Sequence, residues 1–270
     1  GDFGLIFGNP GGGKSWSLVA IGGHAVRLGY NVLHYTLELG EEYVGKRYDA
    51  FFTKIPVNKV DSHRDKIEDI IPQLPGQLII KEYPTGRASV STIESHIAKS
   101  TSMGVKPDLV LIDYVDLLSS RKTNRERKDE IDDIYTSTKG LARQLNIPIW
   151  SVSQVNRAGA QDKVIQGDKA AGSYDKIMIT DFCMSLSRKK EDKVNNTGRF
   201  HLMKNRYGMD GITFGVQADT STGHFVVKDE YIEGEESDNL APSLKSNKFD
   251  TDVDTFDKQL LRKKFFELNT

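Results

Sequence analysis

One glycine-rich segment, residues 8–15, restricts the possible folds of this chain more than any other feature. It reads Gly-Asn-Pro-Gly-Gly-Gly-Lys-Ser and fits the pattern G-x-x-x-x-G-K-[ST] at every position. The apolar stretch Phe3–Phe7 precedes it, and the helical pattern Lys14–Leu28 follows it. A strand, a glycine-rich turn and a helix in this order predict a phosphate-binding loop in an α/β protein that hydrolyses ATP or GTP.

The residue types in this loop suit phosphate chemistry. The predicted nucleotide ligands are Gly8, Asn9, Pro10, Gly11, Gly12, Gly13, Lys14 and Ser15. Glycines let backbone N–H groups turn inward around phosphates, and the helix that follows adds its positive N-terminal dipole. We expect Lys14 to reach the β- and γ-phosphates and the Ser15 hydroxyl to ligate Mg²⁺. A chance glycine-rich turn is the alternative, and the flanking strand and helix argue against it.

The rest of the chain predicts a mostly parallel sheet that helices cover on both faces. Further apolar strands of the strand–helix units are Val32–Thr36, Leu78–Tyr83, Leu109–Asp113 and Ile149–Val152. After Asp181 the pattern changes to short strands joined by polar turns, which predicts antiparallel strands at one edge. These strands are Phe182–Ser187, Phe200–Lys204, Ile212–Gln217 and His224–Val227. We interpret residues 188–192 as a hairpin turn without a functional role.

Three segments are predicted along the chain: an α/β domain over residues 1–228, an acidic polar linker over residues 229–248, and an amphipathic helix over residues 249–270. The apolar face of that helix contains Val253, Phe256, Leu260, Leu261, Phe265 and Leu268. The helix could fold back on its own domain or dock on a neighbouring subunit, and both readings stay open. The sequence opens inside its first strand, so we expect a shortened chain or one that has lost an amino-terminal part.

Composition narrows the classes of protein. The net charge is −1, so nucleic acid would have to bind through local basic patches. The single cysteine, Cys183, excludes a disulfide within the chain and favours a reducing compartment. No apolar run approaches the roughly 20 residues that span a bilayer. We therefore expect a cytoplasmic protein with no membrane partner.

Polar residues end the predicted parallel strands. Asp113 closes a buried strand and is predicted to orient Mg²⁺ together with Ser15, although a helix cap or turn is the alternative role. Gln154 follows the next apolar strand along the chain. Its amide could hydrogen-bond the γ-phosphate and respond to its loss.

Several acidic residues compete for the role of general base. Glu38 follows the strand after the P-loop helix, and a strand neighbouring the P-loop strand would bring its carboxylate near the γ-phosphate. Glu41 and Glu42 are typical of the first turn of a helix, where the dipole favours acids. Asp116 lies near the end of the Asp113 strand. We favour Glu38.

Together these motifs resemble the RecA-like motor domain of DnaB-type replicative helicases, especially the phage forms. The matching segments are the P-loop, Thr36–Leu39, Leu111–Tyr114, Ser153–Arg157 and Lys204–Gly208, in the family's order. The resemblance implies that Glu38 is the catalytic base and that Gln154 couples the nucleotide state to DNA-binding loops. It also implies that Lys204 and Arg206 form a finger pair that reaches the γ-phosphate bound by the adjacent subunit. Without the resemblance, these two residues would be ordinary edge-strand charges.

The resemblance further implies an ATP-driven, Mg²⁺-dependent helicase that works as a hexameric ring on single-stranded DNA, with a primase or helicase loader as further partners. It also implies that the cell is bacterial or phage-infected. Two basic loops, residues 119–128 and 157–169, are predicted to contact DNA phosphates. Their candidate DNA ligands are Arg121, Lys122, Arg125, Arg157 and Lys163. A solvated charge run is the ordinary alternative.

Two further functions remain open at this level. One is a RecA-like recombinase that forms a filament, and the other is a KaiC-like regulatory ATPase that does not bind DNA. The position of Glu38 favours a helicase over the first, and Lys204 with Arg206 favours a helicase over the second. The sequence shows no counterpart of the family's amino-terminal domain and linker helix, so the mode of oligomerisation is open.

Overall fold

The computed structural model describes residues 1–120, 126–155, 164–165 and 174–230. The described residues belong to one compact unit. The amphipathic helix predicted over residues 249–270 and nearly all of the predicted linker lie outside the described residues and stay predictions. Among the residues described, no helix has the length and apolar character needed to cross a bilayer.

A sheet of nine strands forms the centre of the part that the structure describes. The strands are β1 (Phe3–Gly8), β2 (Val32–Thr36), β3 (Leu78–Glu82), β4 (Leu109–Asp113), β5 (Ile149–Gln154), β6 (Phe182–Ser187), β7 (Thr197–Asn205), β8 (Thr213–Asp219) and β9 (His224–Glu230). Their order across the sheet is β3-β2-β4-β5-β1-β6-β7-β8-β9. The pairs from β3 to β6 are parallel, and those from β6 to β9 are antiparallel.

Helices connect and cover these strands. They are α1 (Lys14–Arg27), α2 (Glu41–Thr53), α3 (Arg64–Ile70), α4 (Val90–Ser102), α5 (Arg127–Leu145), α6 (Tyr174–Ile179) and α7 (Lys190–Val194). Short 3₁₀ turns span Val57–Ser62, Ile71–Gln73 and Val115–Leu117. Ser89 caps α4: its hydroxyl accepts a hydrogen bond from Thr92 N while Thr92 Oγ1 accepts one from Ser89 N, a reciprocal box that fixes where the helix begins.

The core lies on both faces of the sheet. Successive residues of β1 point to opposite faces, so Phe3 packs with the cluster that contains Tyr135 of α5, and Ile6 packs with the cluster that contains Leu18 of α1. Every residue of β1 is buried, which is why its sequence is a continuous apolar run rather than an alternating one. Each large apolar side chain buried in this way stabilises the fold by about 1.5–3 kcal/mol. β1 is thereby held rigidly in the middle of the molecule.

The predicted fold class, an α/β RecA-like sheet with antiparallel edge strands, is confirmed, with several corrections of detail. β2 does not neighbour β1, because β4 and β5 lie between them. β6, which we grouped with the antiparallel strands, is parallel to β1. The segment interpreted as a hairpin turn does join antiparallel strands, but α7 begins within it.

Candidate nucleotide-binding site

The predicted phosphate ligands lie at the carboxyl end of the parallel strands. Gly8, which ends β1, pairs with Gln154 at the end of β5, and Thr36 at the end of β2 pairs with Asp113 at the end of β4. Leu37 N donates a hydrogen bond of 2.8 Å to Asp113 O, which holds the residues after β2 against the end of β4. Since the carboxyl ends of parallel strands meet at one edge, polar residues far apart in sequence converge there.

The P-loop backbone uses the conformational freedom of glycine. Gly13 has a φ of 97°, in the left-handed region that other residues rarely adopt. Gly12 N donates to Asn9 O at 2.9 Å, and a Cβ on Gly12 would lie only 2.9 Å from that same oxygen. Lys14 Nζ also donates to Asn9 O, at 2.9 Å. The loop is therefore closed by a backbone hydrogen bond and by the side chain of Lys14, the first residue of α1.

The charges of this edge are partly buried and depend on one another. Burial lowers the pKa of Lys14, while the carboxylates of Asp113 and Glu38 oppose that shift. Burial raises the pKa of Asp113, a hydrogen bond with Ser15 lowers it, and Glu38 raises it further. Two neighbouring carboxylates repel each other, so a cation bound beside them would stabilise both.

Asp113 and Ser15 fit the requirements of Mg²⁺. Asp113 is 1% exposed, and its Oδ1 is buried without a hydrogen-bond partner among the described residues. A buried carboxylate oxygen without a partner is costly, and coordination of a hard cation removes that cost. Ser15, which hydrogen-bonds Asp113, supplies the hydroxyl oxygen. The pair predicted from the sequence is therefore adjacent and has a free oxygen.

A cleft of about 320 Å³ opens above the P-loop. Its lining includes the P-loop from Pro10 to Ser15 together with Glu38, Asp113 and Gln154. Glu38 and Gln154 are both exposed, so both can meet a ligand in the cleft. The structure thus brings the predicted base, metal ligand and sensor together around one space.

The competing acids do not line this cleft. Glu41 and Glu42 lie in the first turn of α2, as predicted. Asp116 accepts hydrogen bonds from Tyr135 Oη at 2.9 Å and from Lys176 Nζ, which forms an ion pair with it. These partners occupy both of its carboxylate oxygens. Glu38 is therefore the acid of this set that can act in the cleft.

Arg47 and Thr220 also line the cleft, and sequence reasoning missed both. Arg47 stands on α2 with its guanidinium carbon 5.1 Å from the centre of the Trp16 ring. Burial lowers the pKa of Arg47, and Asp113 and Glu38 oppose the shift. A signal was present in the sequence, because Arg47 lies between Val44 and Phe51 on the buried face of an amphipathic helix. A charged side chain is rare on such a face unless it has a partner or a function. Thr220 follows β8, and no motif marks it.

Arg188 is a further cation beside the loop. It is 5% exposed, and its Nε donates to Thr197 O at 2.9 Å. A Cβ on Gly13 would lie 3.4 Å from its Nη1. Burial lowers the pKa of Arg188, while Asp192 and Asp219 raise it. The residue that we placed in a turn without a role therefore adds positive charge next to the P-loop.

The predicted finger residues lie at the opposite end of the sheet. Lys204 pairs with Cys183, which in turn pairs with Leu5, near the start of β1. At about 3.3 Å per residue, Arg206 is roughly 15 Å from the end of β1 at Gly8. Neither Lys204 nor Arg206 lines the cleft.

Contacts within the chain hold both finger residues. Arg206 Nη1 donates to Asp181 Oδ1 at 2.5 Å, and Lys204 Nζ donates to Ile177 O at 2.8 Å and Met178 O at 2.7 Å. Asp181 is fully buried, while the Arg206 side chain remains 48% exposed. Burial raises the pKa of Asp181, but hydrogen bonds from Lys139, Arg206 and the backbone of Phe3 outweigh it and hold the pKa below its usual value.

The candidate DNA ligands are not tested by the structure. Arg121, Lys122, Arg125, Arg157 and Lys163 all lie outside the described residues. Two other cations of the first basic loop are described and have partners. Arg127 pairs with Glu130 at 3.1 Å, and Lys128 pairs with Asp175 at 2.9 Å.

The fold and the site define a P-loop nucleotide-binding domain of the RecA-like class. Within that class, the model of one family, described as DnaB-like helicase C terminal domain, matches residues 1–222, and the chain belongs to this family. The resemblance found in the motifs is confirmed.

Curated relatives agree with this family. The chain is 24% identical over 212 residues to the DnaB-like replicative helicase of Enterobacteria phage T4, which covers 73% of this chain and 44% of that protein. It is 26% identical over 211 residues to the replicative DNA helicase DnaB of Mycoplasma genitalium, which covers 71% of this chain and 44% of the relative. The chain thus spans less than half the length of these relatives.

Solved structures agree with the fold. The ATPase domain of G40P superposes with a TM-score of 0.73 at 24% identity, over 84% of this chain and 85% of that domain. A DnaB-like replicative helicase, described together with its interactions with primase, superposes with a TM-score of 0.72 at 23% identity, over 83% of this chain and 58% of its own.

Proposed function

We propose that this chain is the ATP-hydrolysing motor of a replicative DNA helicase. The observation that carries the proposal is the division of its predicted residues between two ends of one rigid sheet. The P-loop, Glu38, Asp113 and Gln154 surround one cleft. Lys204 and Arg206 lie too far from that cleft to act in it. A site completed by a neighbouring copy explains this separation, because a finger supplied in trans links hydrolysis to assembly.

In this proposal the chain's own cleft binds ATP and prepares the attack. The P-loop N–H groups and Lys14 hold the phosphates. Glu38 accepts a proton from a water molecule while the oxygen of that water attacks the γ-phosphorus. The bond from the γ-phosphorus to the bridging oxygen of the β-phosphate breaks, which leaves ADP and phosphate. Gln154 hydrogen-bonds the γ-phosphate and loses that partner afterwards. Mg²⁺ bound by Ser15 and Asp113 would neutralise charge on the phosphate oxygens.

The neighbouring copy completes the reaction. Arg206 and Lys204 of one subunit would face the γ-phosphate of the next and neutralise the charge that develops as the bond breaks. Such a geometry requires a closed or helical homo-oligomer, and we propose a hexameric ring. ATP is proposed as the nucleotide over GTP because of the family, since no described residue of the cleft reads the base by an evident pairing.

Single-stranded DNA is the proposed track, with a primase or a helicase loader as further partners. β4 and β5 end at the cleft edge, and the two basic loops follow these strands in sequence. A ring that places this edge toward its centre would bring the loops to the DNA phosphates. Binding to phosphates depends steeply on salt, which provides a test.

The experiment compares ATP turnover by the full chain with and without single-stranded DNA at low salt, in wild type and in Arg206→Ala. We expect DNA to raise turnover and added salt to weaken that effect. Arg206→Ala should bind ATP as the wild type does and lose turnover by about 10³-fold or more. No stimulation by DNA would support a regulatory ATPase instead, and normal turnover by Arg206→Ala would remove the trans finger.

A further inference from the structure

The short helix α6 contacts both functional ends of the sheet. It runs from Tyr174 to Ile179. Near its start, Lys176 reaches the strand that carries Gln154. At its end, backbone carbonyls receive hydrogen bonds from Lys204.

The contact at the nucleotide end is a nearly buried ion pair. Lys176 Nζ donates to Asp116 Oδ1 and, at 2.9 Å, to Ser153 Oγ. The side chains of Lys176 and Asp116 are only 12% and 14% exposed. Tyr135 Oη donates to the second Asp116 oxygen at 2.9 Å, and the Lys176 ammonium lies 5.2 Å from the centre of the Tyr135 ring. Since one ammonium is held by several partners, the position of α6 relative to β5 is well defined.

Ser153 is the residue directly before the proposed sensor. It is 1% exposed and pairs with Phe7, just as Gln154 pairs with Gly8 of the P-loop. A displacement of Gln154 on loss of the γ-phosphate would therefore move the hydroxyl that Lys176 holds.

The contact at the other end is with the proposed finger pair. Lys204 Nζ donates to Ile177 O at 2.8 Å and to Met178 O at 2.7 Å. Lys139 Nζ donates to Ile179 O at 2.6 Å and forms an ion pair with Asp181 at 2.9 Å. Asp181 in turn forms an ion pair with Arg206. The last carbonyls of a helix have no partners within the helix, so lysines are suited to hold them.

Ser153 and Lys204 are thus joined by a short covalent and hydrogen-bonded path. The path runs from Ser153 Oγ to the Lys176 side chain, across one peptide unit to Ile177 O, and on to Lys204 Nζ. A helical turn is stiff over this distance because its backbone is hydrogen-bonded internally. Movement at one end is therefore passed on to the other rather than absorbed.

We infer that Lys176, through α6, is a positioning residue that links the nucleotide state of a subunit's own cleft to the placement of its finger pair in the next cleft. The inference rests on the proposed trans role of Lys204 and Arg206. Loss of the γ-phosphate in one cleft would change the hold on Ser153, shift α6 and thereby change the position of Lys204. ATP hydrolysis at one site of the ring would then depend on the nucleotide state of the neighbouring site.

The test uses assemblies of the full chain formed with ATP and single-stranded DNA, in which an increasing fraction of subunits carries Lys14→Ala. Such a subunit has no working cleft but still offers its fingers. If sites fire independently, turnover falls in proportion to that fraction. If they depend on one another, turnover falls more steeply. We expect the steeper fall in wild type and a proportional fall when all subunits also carry Ser153→Ala.

Ser153→Ala removes only the hydroxyl and leaves the Lys176–Asp116 ion pair in place. The matched control is Ser185→Ala, since Ser185 is also a buried serine on the sheet but its hydroxyl donates to Ile165 O at 2.7 Å rather than to a residue of α6. The control should keep the steep fall.

If Ser153→Ala does not fold, the double variant Lys176→Met with Asp116→Asn serves the same purpose, because it removes both charges of the ion pair. The amide that replaces the carboxylate can still accept a hydrogen bond from the Tyr135 hydroxyl.

Two results would overturn the inference: a proportional fall in wild type, or a steep fall that Ser153→Ala leaves unchanged. Doping with Arg206→Ala subunits separates this failure from failure of the proposed function. If Arg206→Ala subunits lower turnover by their wild-type neighbours while Ser153→Ala has no effect on the dependence, the trans finger stands and the α6 link does not. If assemblies made only of Arg206→Ala subunits turn over normally, the trans finger of the proposed function itself fails.

Discussion

The two ends of β1 differ in how their functional groups are held. At the carboxyl end, Asp113 Oδ1 is buried without a partner among the described residues, and Glu38 and Gln154 face an open cleft. At the amino end, Arg206 is bound to a buried carboxylate and Lys204 to carbonyls of α6. One end therefore needs a ligand to complete it, whereas the other is complete within the chain.

This difference bears on what a single copy can do. A cleft with a preformed loop and an unsatisfied carboxylate can bind nucleotide and Mg²⁺ without large rearrangement. Fingers that already have partners must exchange them for a phosphate of the neighbouring subunit. The contacts to Asp181 keep Arg206 ordered until then, which lowers the entropy lost when the phosphate is bound. We expect one subunit to bind ATP and two to hydrolyse it efficiently.

The largest expected effect comes from Lys14→Ala at the cleft end. Loss of the Lys14 ammonium removes the hydrogen bond to Asn9 O that closes the P-loop. It also removes the positive charge that binds the phosphates, so ATP binding should become undetectable. Titration with a fluorescent ATP analogue measures this. Lys66→Ala, on the exposed surface of α3, is the control and should bind normally. Tight binding by Lys14→Ala would mean that the cleft is not the nucleotide site.

Glu38→Gln should separate binding from chemistry at the same end. The amide keeps the size of the side chain but cannot accept the proton of water, so kcat should fall by about 10²–10⁴-fold while ATP affinity holds. Steady-state turnover and equilibrium binding measure the two quantities. Glu41→Gln, in the first turn of α2, should leave turnover near the wild-type value; an equal loss there would reopen the choice of base.

Asp181→Asn tests the amino end through stability. Its carboxylate accepts charged hydrogen bonds from Lys139 and Arg206, and their weakening should lower the free energy of unfolding by about 2 kcal/mol. Urea denaturation measures this. The matched change in an exposed ion pair is Asp61→Asn, whose partner is Lys46, and it should cost less than about 1 kcal/mol. Equal effects of the two substitutions would argue that the buried carboxylate does not organise this end.

His34 provides a smaller effect that belongs to the core rather than to either end. Burial lowers the pKa of His34 to about 3, from 6.5. Below pH 6.5 His34 is protonated in the unfolded chain, but in the folded chain it stays neutral down to about pH 3. The free energy of unfolding therefore falls as the pH falls from 6.5 towards 3. The contribution of this residue is a slope of up to about 1.4 kcal/mol per pH unit.

Urea denaturation at several pH values between 7 and 4 measures that slope. His34→Gln should reduce it by about this amount. An unchanged slope in His34→Gln would mean that the fold accepts a charged His34.

Much of the cleft could be predicted from the sequence because its residues sit in short motifs at strand ends. The P-loop pattern, Asp113 after a buried strand and Gln154 after the next one all follow from the rule that parallel strands end at a common edge. Glu38 lines the cleft, although the expectation that its strand neighbours the P-loop strand is wrong. β2 is separated from β1 by β4 and β5, and Glu38 reaches the cleft from beyond them.

The residues that sequence reasoning missed depend on contacts between distant segments. Asp116 and Lys176 are 60 positions apart, and nothing in either neighbourhood predicts their ion pair. The sequence marks Asp181 only as the point where the pattern of strands changes, although its carboxylate binds Arg206 and Lys139. Arg47 could have been found as a cation on an apolar helix face, whereas Thr220 could not. Tertiary ion pairs leave no periodic signal in a sequence.

The most direct test of the shared site is complementation between two inactive variants. Lys14→Ala should bind no ATP but offer intact fingers, and Arg206→Ala should bind ATP but offer none. Each alone should be inactive. When the two are mixed with ATP and single-stranded DNA, we predict that part of the wild-type turnover returns, because an Arg206→Ala cleft can receive Arg206 from a Lys14→Ala neighbour. The α6 link makes this return incomplete, because the fingers of a subunit without nucleotide are less well placed. A mixture that stays inactive, although native mass spectrometry shows mixed assemblies, would contradict the account.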